Sequence, residues 1–261
     1  MSRKYKGAIG FALTSSPTEE VASPAIYFRV EDGDIQLEPV NADQPFAYTR
    51  DPLKPDDHGF DAKFSFSGGL VSMRDLGYLL YMFLGGESFD APSSTHILSR
   101  GDAPYFQTFL DRTLDVGSGA TVDTGIGCKL GNLDIKFVSK DWAKVSGDGL
   151  VCSPGTPRSP WSRSIGTDAN LRPLSWKTMM AAAGGHVRLA IDASTSEGDE
   201  DTSIRSLDLS LSQDLEAVYD LGGSQAGAIN EGQISISYEL SRAFAGARAM
   251  NERSAWLNRS R

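Results

Sequence analysis

Phe64-Ser65-Phe66-Ser67-Gly68-Gly69-Leu70-Val71-Ser72-Met73-Arg74-Asp75-Leu76-Gly77-Tyr78-Leu79-Leu80-Tyr81-Met82-Phe83-Leu84-Gly85-Gly86 is the stretch on which the fold turns. Its first residues alternate, with Phe64 and Phe66 set against serines. That is the period-two mark of a strand with one face packed and one wet. From Ser72 the period becomes helical. Ser72 and Asp75 stand at capping-box spacing, and Val71 and Leu76 sit where a hydrophobic staple forms. Leu76, Leu79, Leu80 and Phe83 then make one apolar stripe. Gly85 and Gly86 end the helix, because glycine takes the left-handed cap at no steric cost. The spacing therefore predicts a helix over about residues 72–84 whose core face is Leu76, Leu79, Leu80 and Phe83. Such a helix must lie on something.

The rest of the chain supplies sheet for it to lie on. Leu133, Ile135 and Phe137 interleave with Asp134 and Lys136. Leu207, Leu209 and Leu211 interleave with Asp208 and Ser210. Ile234, Ile236, Tyr238 and Leu240 interleave with Ser235, Ser237 and Glu239. Trp142 to Val145 reads as a further short strand. Glycine pairs punctuate these runs. Many strands with one strong helix predict a mainly β fold, a sandwich or barrel with a helix on its flank. Residues 41–63 hold Pro45, Pro52 and Pro55 among many acids and read as a long loop. Two further loops are expected over residues 153–172 and 194–203. Residues 241–261 read as a basic, helical extension.

Composition narrows function by exclusion. The chain has 261 residues, 25 Lys plus Arg and 34 Asp plus Glu, for a net charge of −9. An acidic surface does not wrap nucleic acid, which needs basic contacts to phosphate. The charge is uneven: Ile191 to Asp220 carries nine acids and one base, whereas five arginines follow Leu221 against three glutamates. Opposed regions of this kind suit head-to-tail self-association, and equally suit two solvated faces. No apolar run approaches the length of a membrane span, and the basic N-terminus lacks the apolar segment of a secretory signal. Cys128 and Cys152 read as two buried thiols, with a disulfide left open.

A search for chemistry finds little. His58, His96 and His186 share no metal-ligand spacing, and no G-x-S-x-G elbow exposes a serine. Gly125 to Gly131 mimics a dinucleotide loop, but a strand follows it where a helix would be required. Asp56-Asp57-His58 and Asp199-Glu200-Asp201 lack the pattern of a calcium loop. No enzyme activity, cofactor or metal is expected, and the chain reads as a binding or structural protein.

The order of the motifs resembles the tail tube (major tail) proteins of tailed bacteriophages. The resemblance is carried by Phe64 and Phe66 with Gly68-Gly69-Leu70 and the helix ending in Leu84-Gly85, then by His96-Ile97-Leu98. It continues through Gly101-Asp102-Ala103-Pro104-Tyr105-Phe106 and Gly127-Cys128-Lys129-Leu130-Gly131-Asn132-Leu133-Asp134-Ile135. Val145-Ser146-Gly147-Asp148-Gly149, the run Arg205 to Leu211 and the run Glu231 to Ile236 complete it. It spans about Gly7 to Leu240, so one tail-tube-like β domain over 1–240 is expected. Family members continue with more sheet where this chain turns basic.

The resemblance implies a virion protein, made in the host cytoplasm, that forms hexameric rings stacking into a tail tube. It also implies a tape-measure protein in the lumen, contacts with tail terminator and tail-tip or baseplate proteins, and DNA that passes without specific binding. An acidic lumen would repel the phosphate backbone and let the genome slide. Asp134, Lys136, Asp208, Ser210, Ser235, Ser237 and Glu239 become candidate lumen-lining residues. Arg3, Lys4, Arg50, Lys54, Asp56, Asp57, Arg248 and Arg253 become candidates for contact between rings, within the N-terminal arm (2–12), the 41–63 loop and the basic tail. Two alternatives stay open: a monomeric β-sandwich binding module, for example for carbohydrate, and another tail component such as a terminator or tip protein. A sugar platform needs clustered aromatics, whereas Trp142, Trp161, Trp176 and Trp256 are scattered.

Overall fold

The computed structural model describes residues 7–41, 57–91, 95–112, 122–138, 141–158, 204–219 and 225–242. In chain order these form β1 (Gly7–Thr14), β2 (Ile26–Val30), β3 (Asp32–Asn41), β4 (Asp57–Leu70), α1 (Met73–Leu84), β5 (Gly85–Asp90), β6 (Thr95–Arg100), β7 (Tyr105–Asp111), β8 (Val122–Val138), β9 (Lys144–Val151), β10 (Ser153–Pro154), β11 (Ile204–Tyr219) and β12 (Ala226–Arg242). The fold is mainly β, with α1 the one helix among the described residues.

Strand β8 joins two antiparallel layers. Its first part pairs with β7, which continues through β1 to β2, and with β10 on its other side. Its second part pairs with β9 on one side and β11 on the other. The second layer thus runs β3, β4, β9, β8, β11, β12. The changeover falls near Gly127, whose φ is 65°. A Cβ there would stand 2.3 Å from the Pro17 carbonyl oxygen, so only glycine fits both the backbone and the space.

The two layers close over a shared core. Phe11 from β1 packs its ring on Phe28, Phe64, Phe66 and Phe106 at centroid distances of 5.6–6.2 Å. Leu130, Leu133, Ile135 and Val145 of the second layer join the same cluster. Helix α1 lies against it through Leu76, Leu79, Met82 and Phe83. Three of the four residues expected on its core face are buried. Leu80 is only partly so, and Met82 takes the place expected of it, because the stripe follows 72, 75, 76, 79, 82 and 83 around the helix.

The helix start is built as its sequence predicts. The Asp75 amide donates to Ser72 Oγ at 3.2 Å, and the Ser72 amide donates to Asp75 Oδ2 at 3.0 Å. The box is buried, so its partners cannot turn to water instead. Ser72→Ala is expected to lower the unfolding free energy by about 0.5–2 kcal/mol, read as a shift in the urea midpoint. At the other end Gly85 takes the left-handed cap with φ 82°.

Three expectations need correction. Residues 57–63 are not loop: they form the first half of β4, paired with β3. All three prolines of that region precede Asp57, and Ala62, Phe64 and Phe66 keep the period of two. Residues 7–12 are not a contact arm. They lie in β1, buried between β2 and β7. Ser241 and Arg242 belong to β12, while residues 243–261, read as helical, lie outside the described residues.

Candidate functional site

The second layer has one apolar and one polar face, set by strand parity. Leu133, Ile135, Phe137 and Leu211 point into the core, and Leu207, Leu209 and Ile234 pack partly against it. Every residue between them turns to the opposite face. The register then aligns those residues in rows across the strands. Glu239 lies opposite Asp208, Asp208 opposite Lys136, and Lys136 opposite Lys144. The next row is Ser237, Ser210, Asp134 and Ser146. The third crosses the whole layer: Ser235, Ser212, Asn132, Asp148, Ser65 and Asp34. All seven candidate lumen-lining residues thus share one face, although they come from strands up to a hundred residues apart.

The rows differ in charge. Lys136 Nζ reaches Asp208 Oδ2 at 2.8 Å, and Lys144 Nζ reaches Glu31 Oε1 at 2.9 Å. The hydrogen bond to Asp208 holds the Lys136 ammonium above the ordinary lysine range. One row is therefore charge-paired. The others hold serines and the acids Asp134, Asp148 and Asp34. Asn132 Nδ2 donates to both carboxylate oxygens of Asp148, at 3.2 and 3.0 Å. The Gln36 amide and then Arg112 hold Asp34 below the usual carboxylate range. A depression of about 320 Å³ lies on this face, lined by Lys63, Ser65, Asn132, Asp148 and Gln213.

The margins of the layer are distinct. Among the described residues β3 pairs only with β4, and β12 only with β11. On the apolar face of β12, Ile236 and Tyr238 are 58% and 69% exposed, beyond the reach of the core. The turn end of the β11–β12 hairpin is tied to the body. Lys129 Nζ binds the Glu231 carboxylate and the Ala103 carbonyl, and stands 4.3 Å over the Tyr105 ring. Tyr105 Oη in turn accepts from the Ile229 amide at 3.2 Å. This tether went unread in the sequence, where Lys129 has only its place in a glycine-marked strand to signal it.

Of the candidates for contact between rings, Asp57 opens β4 opposite Asn41. Arg3, Lys4, Arg50, Lys54, Asp56, Arg248 and Arg253 lie outside the described residues. Cys128 and Cys152 are free and buried. Burial pushes the Cys128 thiol up to about 12 and that of Cys152 to about 11. Among the described residues no group of three or more His, Cys, Asp or Glu is placed to hold a metal ion. No helix among them is long and apolar enough to cross a membrane. No family model and no curated protein matches the chain.

Proposed function

We propose that this chain is a structural subunit of a bacteriophage tail tube, forming hexameric rings that stack into the shaft of a virion. The observation that carries the reading is the layer whose outermost strands, β3 and β12, each keep one side unpaired among the described residues. Its six strands alternate in direction, so β3 and β12 run oppositely. A neighbour added by rotation about an axis along the strands would bring its β3 antiparallel to β12. The layer then continues from copy to copy without a break in pairing, and the exposed margins close as they do in a barrel. Ile236 and Tyr238 would be covered by the same neighbour. The polar face would line the lumen, where its serines and acids present no basic surface to DNA, and where a tape-measure protein would lie during assembly. Tail terminator and tip proteins would cap the two ends.

Exposed aromatics support assembly more than sugar binding. Phe89, Trp142 and Tyr238 stand on a ribbon, a turn and a margin strand, not on one platform. Negative-stain microscopy of the purified full chain should show rings or tubes of one diameter. Ile236→Lys with Tyr238→Lys should abolish the rings while leaving a folded monomer. Dispersed wild-type monomers at high concentration, even with tail initiators supplied, would overturn the reading.

A further inference from the structure

The ribbon of β5 and β6 is the least explained part of the molecule. It pairs with no third strand among the described residues. A two-stranded ribbon is marginal by itself in water. Yet this one shows large apolar groups on both faces. Phe89 lies opposite His96, at a ring distance of 4.9 Å, and shares that face with Glu87, whose carboxylate holds His96 Nδ1 at 2.5 Å. Ile97 lies opposite Ser88 on the other face. Both Phe89 and Ile97 are more than half exposed.

The ribbon leaves from the C-terminal end of α1. The Gly101 amide donates to the Leu84 carbonyl at 2.7 Å, and Ala103 beyond it accepts from Lys129, where β8 enters the second layer. The opposite end of α1 holds another exposed apolar pair. Met73 follows closely on Leu70, which pairs with Lys144, and Trp142 stands two residues before that lysine. Met73 is more than half exposed and Trp142 nearly so. The twelve residues of α1 separate the two ends by about 18 Å at 1.5 Å per residue.

Each end also offers one charge that complements the other. Arg74, beside Met73, is exposed and makes no ion pair among the described residues. The ribbon presents Glu87 beside Phe89. A surface at one end that complements a surface at the other makes a heterologous contact, and such a contact repeats as an open stack.

We propose that copies of this chain stack end to end through the β5–β6 ribbon of one copy, seated on Met73, Arg74 and Trp142 of the next. The occupant is a second copy, and the proposal rests on the tube reading above, for which it names the contact between successive rings. Phe89 and Ile97 are the anchors, and Glu87 faces Arg74 across the joint. A few anchors of this kind carry most of an interface's energy.

The test uses the full chain in three variants, each checked for a wild-type circular dichroism spectrum. Phe89→Ser with Ile97→Ser should leave rings intact and cut the mean number of stacked rings by on the order of tenfold. Arg74→Glu should shorten the tubes, and Arg74→Glu combined with Glu87→Arg should restore them. The charge pair decides the matter if the serine variant misfolds. Tubes of wild-type length from both Phe89→Ser/Ile97→Ser and Arg74→Glu would overturn this contact while leaving the tube reading standing. Rings that pair face to face through their ribbons and stop there would also overturn it. Absence of rings from the wild-type chain would sink the tube reading itself.

Discussion

Phe11→Ala is expected to cost about 3–5 kcal/mol of unfolding free energy, close to the whole margin of many domains. The size follows from where the ring sits. Phe11 is fully buried on β1 and touches aromatic neighbours from both layers: Phe28 and Phe106 from its own, Phe64 and Phe66 from the other. Removing it opens a cavity where the layers meet, and neither layer can collapse into that space without breaking register. Urea titration followed by circular dichroism reads the loss directly. A cost below about 1 kcal/mol would mean that the two layers do not share this core. Ile97→Ser, on the exposed ribbon, supplies the contrast: the same titration should show almost no change.

The second large effect lies near the turn of the β11–β12 hairpin. Glu231→Ala strands the buried Lys129 ammonium, which among the described residues keeps the Ala103 carbonyl and the Tyr105 ring for company. Leaving a buried charge without its partner costs about 3–5 kcal/mol. Replacing both members together, Lys129→Met with Glu231→Leu, should recover most of that loss, because no charge is then left behind. A double variant as unstable as the single one would show that the hairpin depends on packing at this point and not on charge pairing. The consequence reaches assembly. The pair holds β12 against the start of the shared part of β8, so the single variant should also lose rings at temperatures where it remains folded.

The elements most legible in the sequence are those fixed by neighbours three or four residues away. Ser72 and Asp75 meet across one turn, and Gly85 ends the same helix, so α1 could be placed to within a residue. Alternation likewise assigned faces over residues 207–211 of β11, 234–240 of β12 and 133–137 of β8. Strand β1 escaped because it is buried on both faces, which removes the alternation by which a strand is recognised. The first half of β8 escaped for a different reason. Gly125, Gly127 and Gly131 interrupt its apolar pattern, although Gly125 and Gly127 are needed to bring it close to Val151 and to the carbonyl of Pro17.

What the sequence alone determined was sidedness in the alternating strands: which residues share the apolar face and which share the polar one. That is a local property, set by the two-residue period of an extended chain. The alignment of Glu239, Asp208 and Lys136 in one row, the places of β3 and β12 at the margins of the described layer, and the tether between Lys129 and Glu231 were decided only by the tertiary structure. Each depends on hydrogen-bond register between segments as many as 102 residues apart. No periodicity within a single segment encodes which other segment will lie beside it.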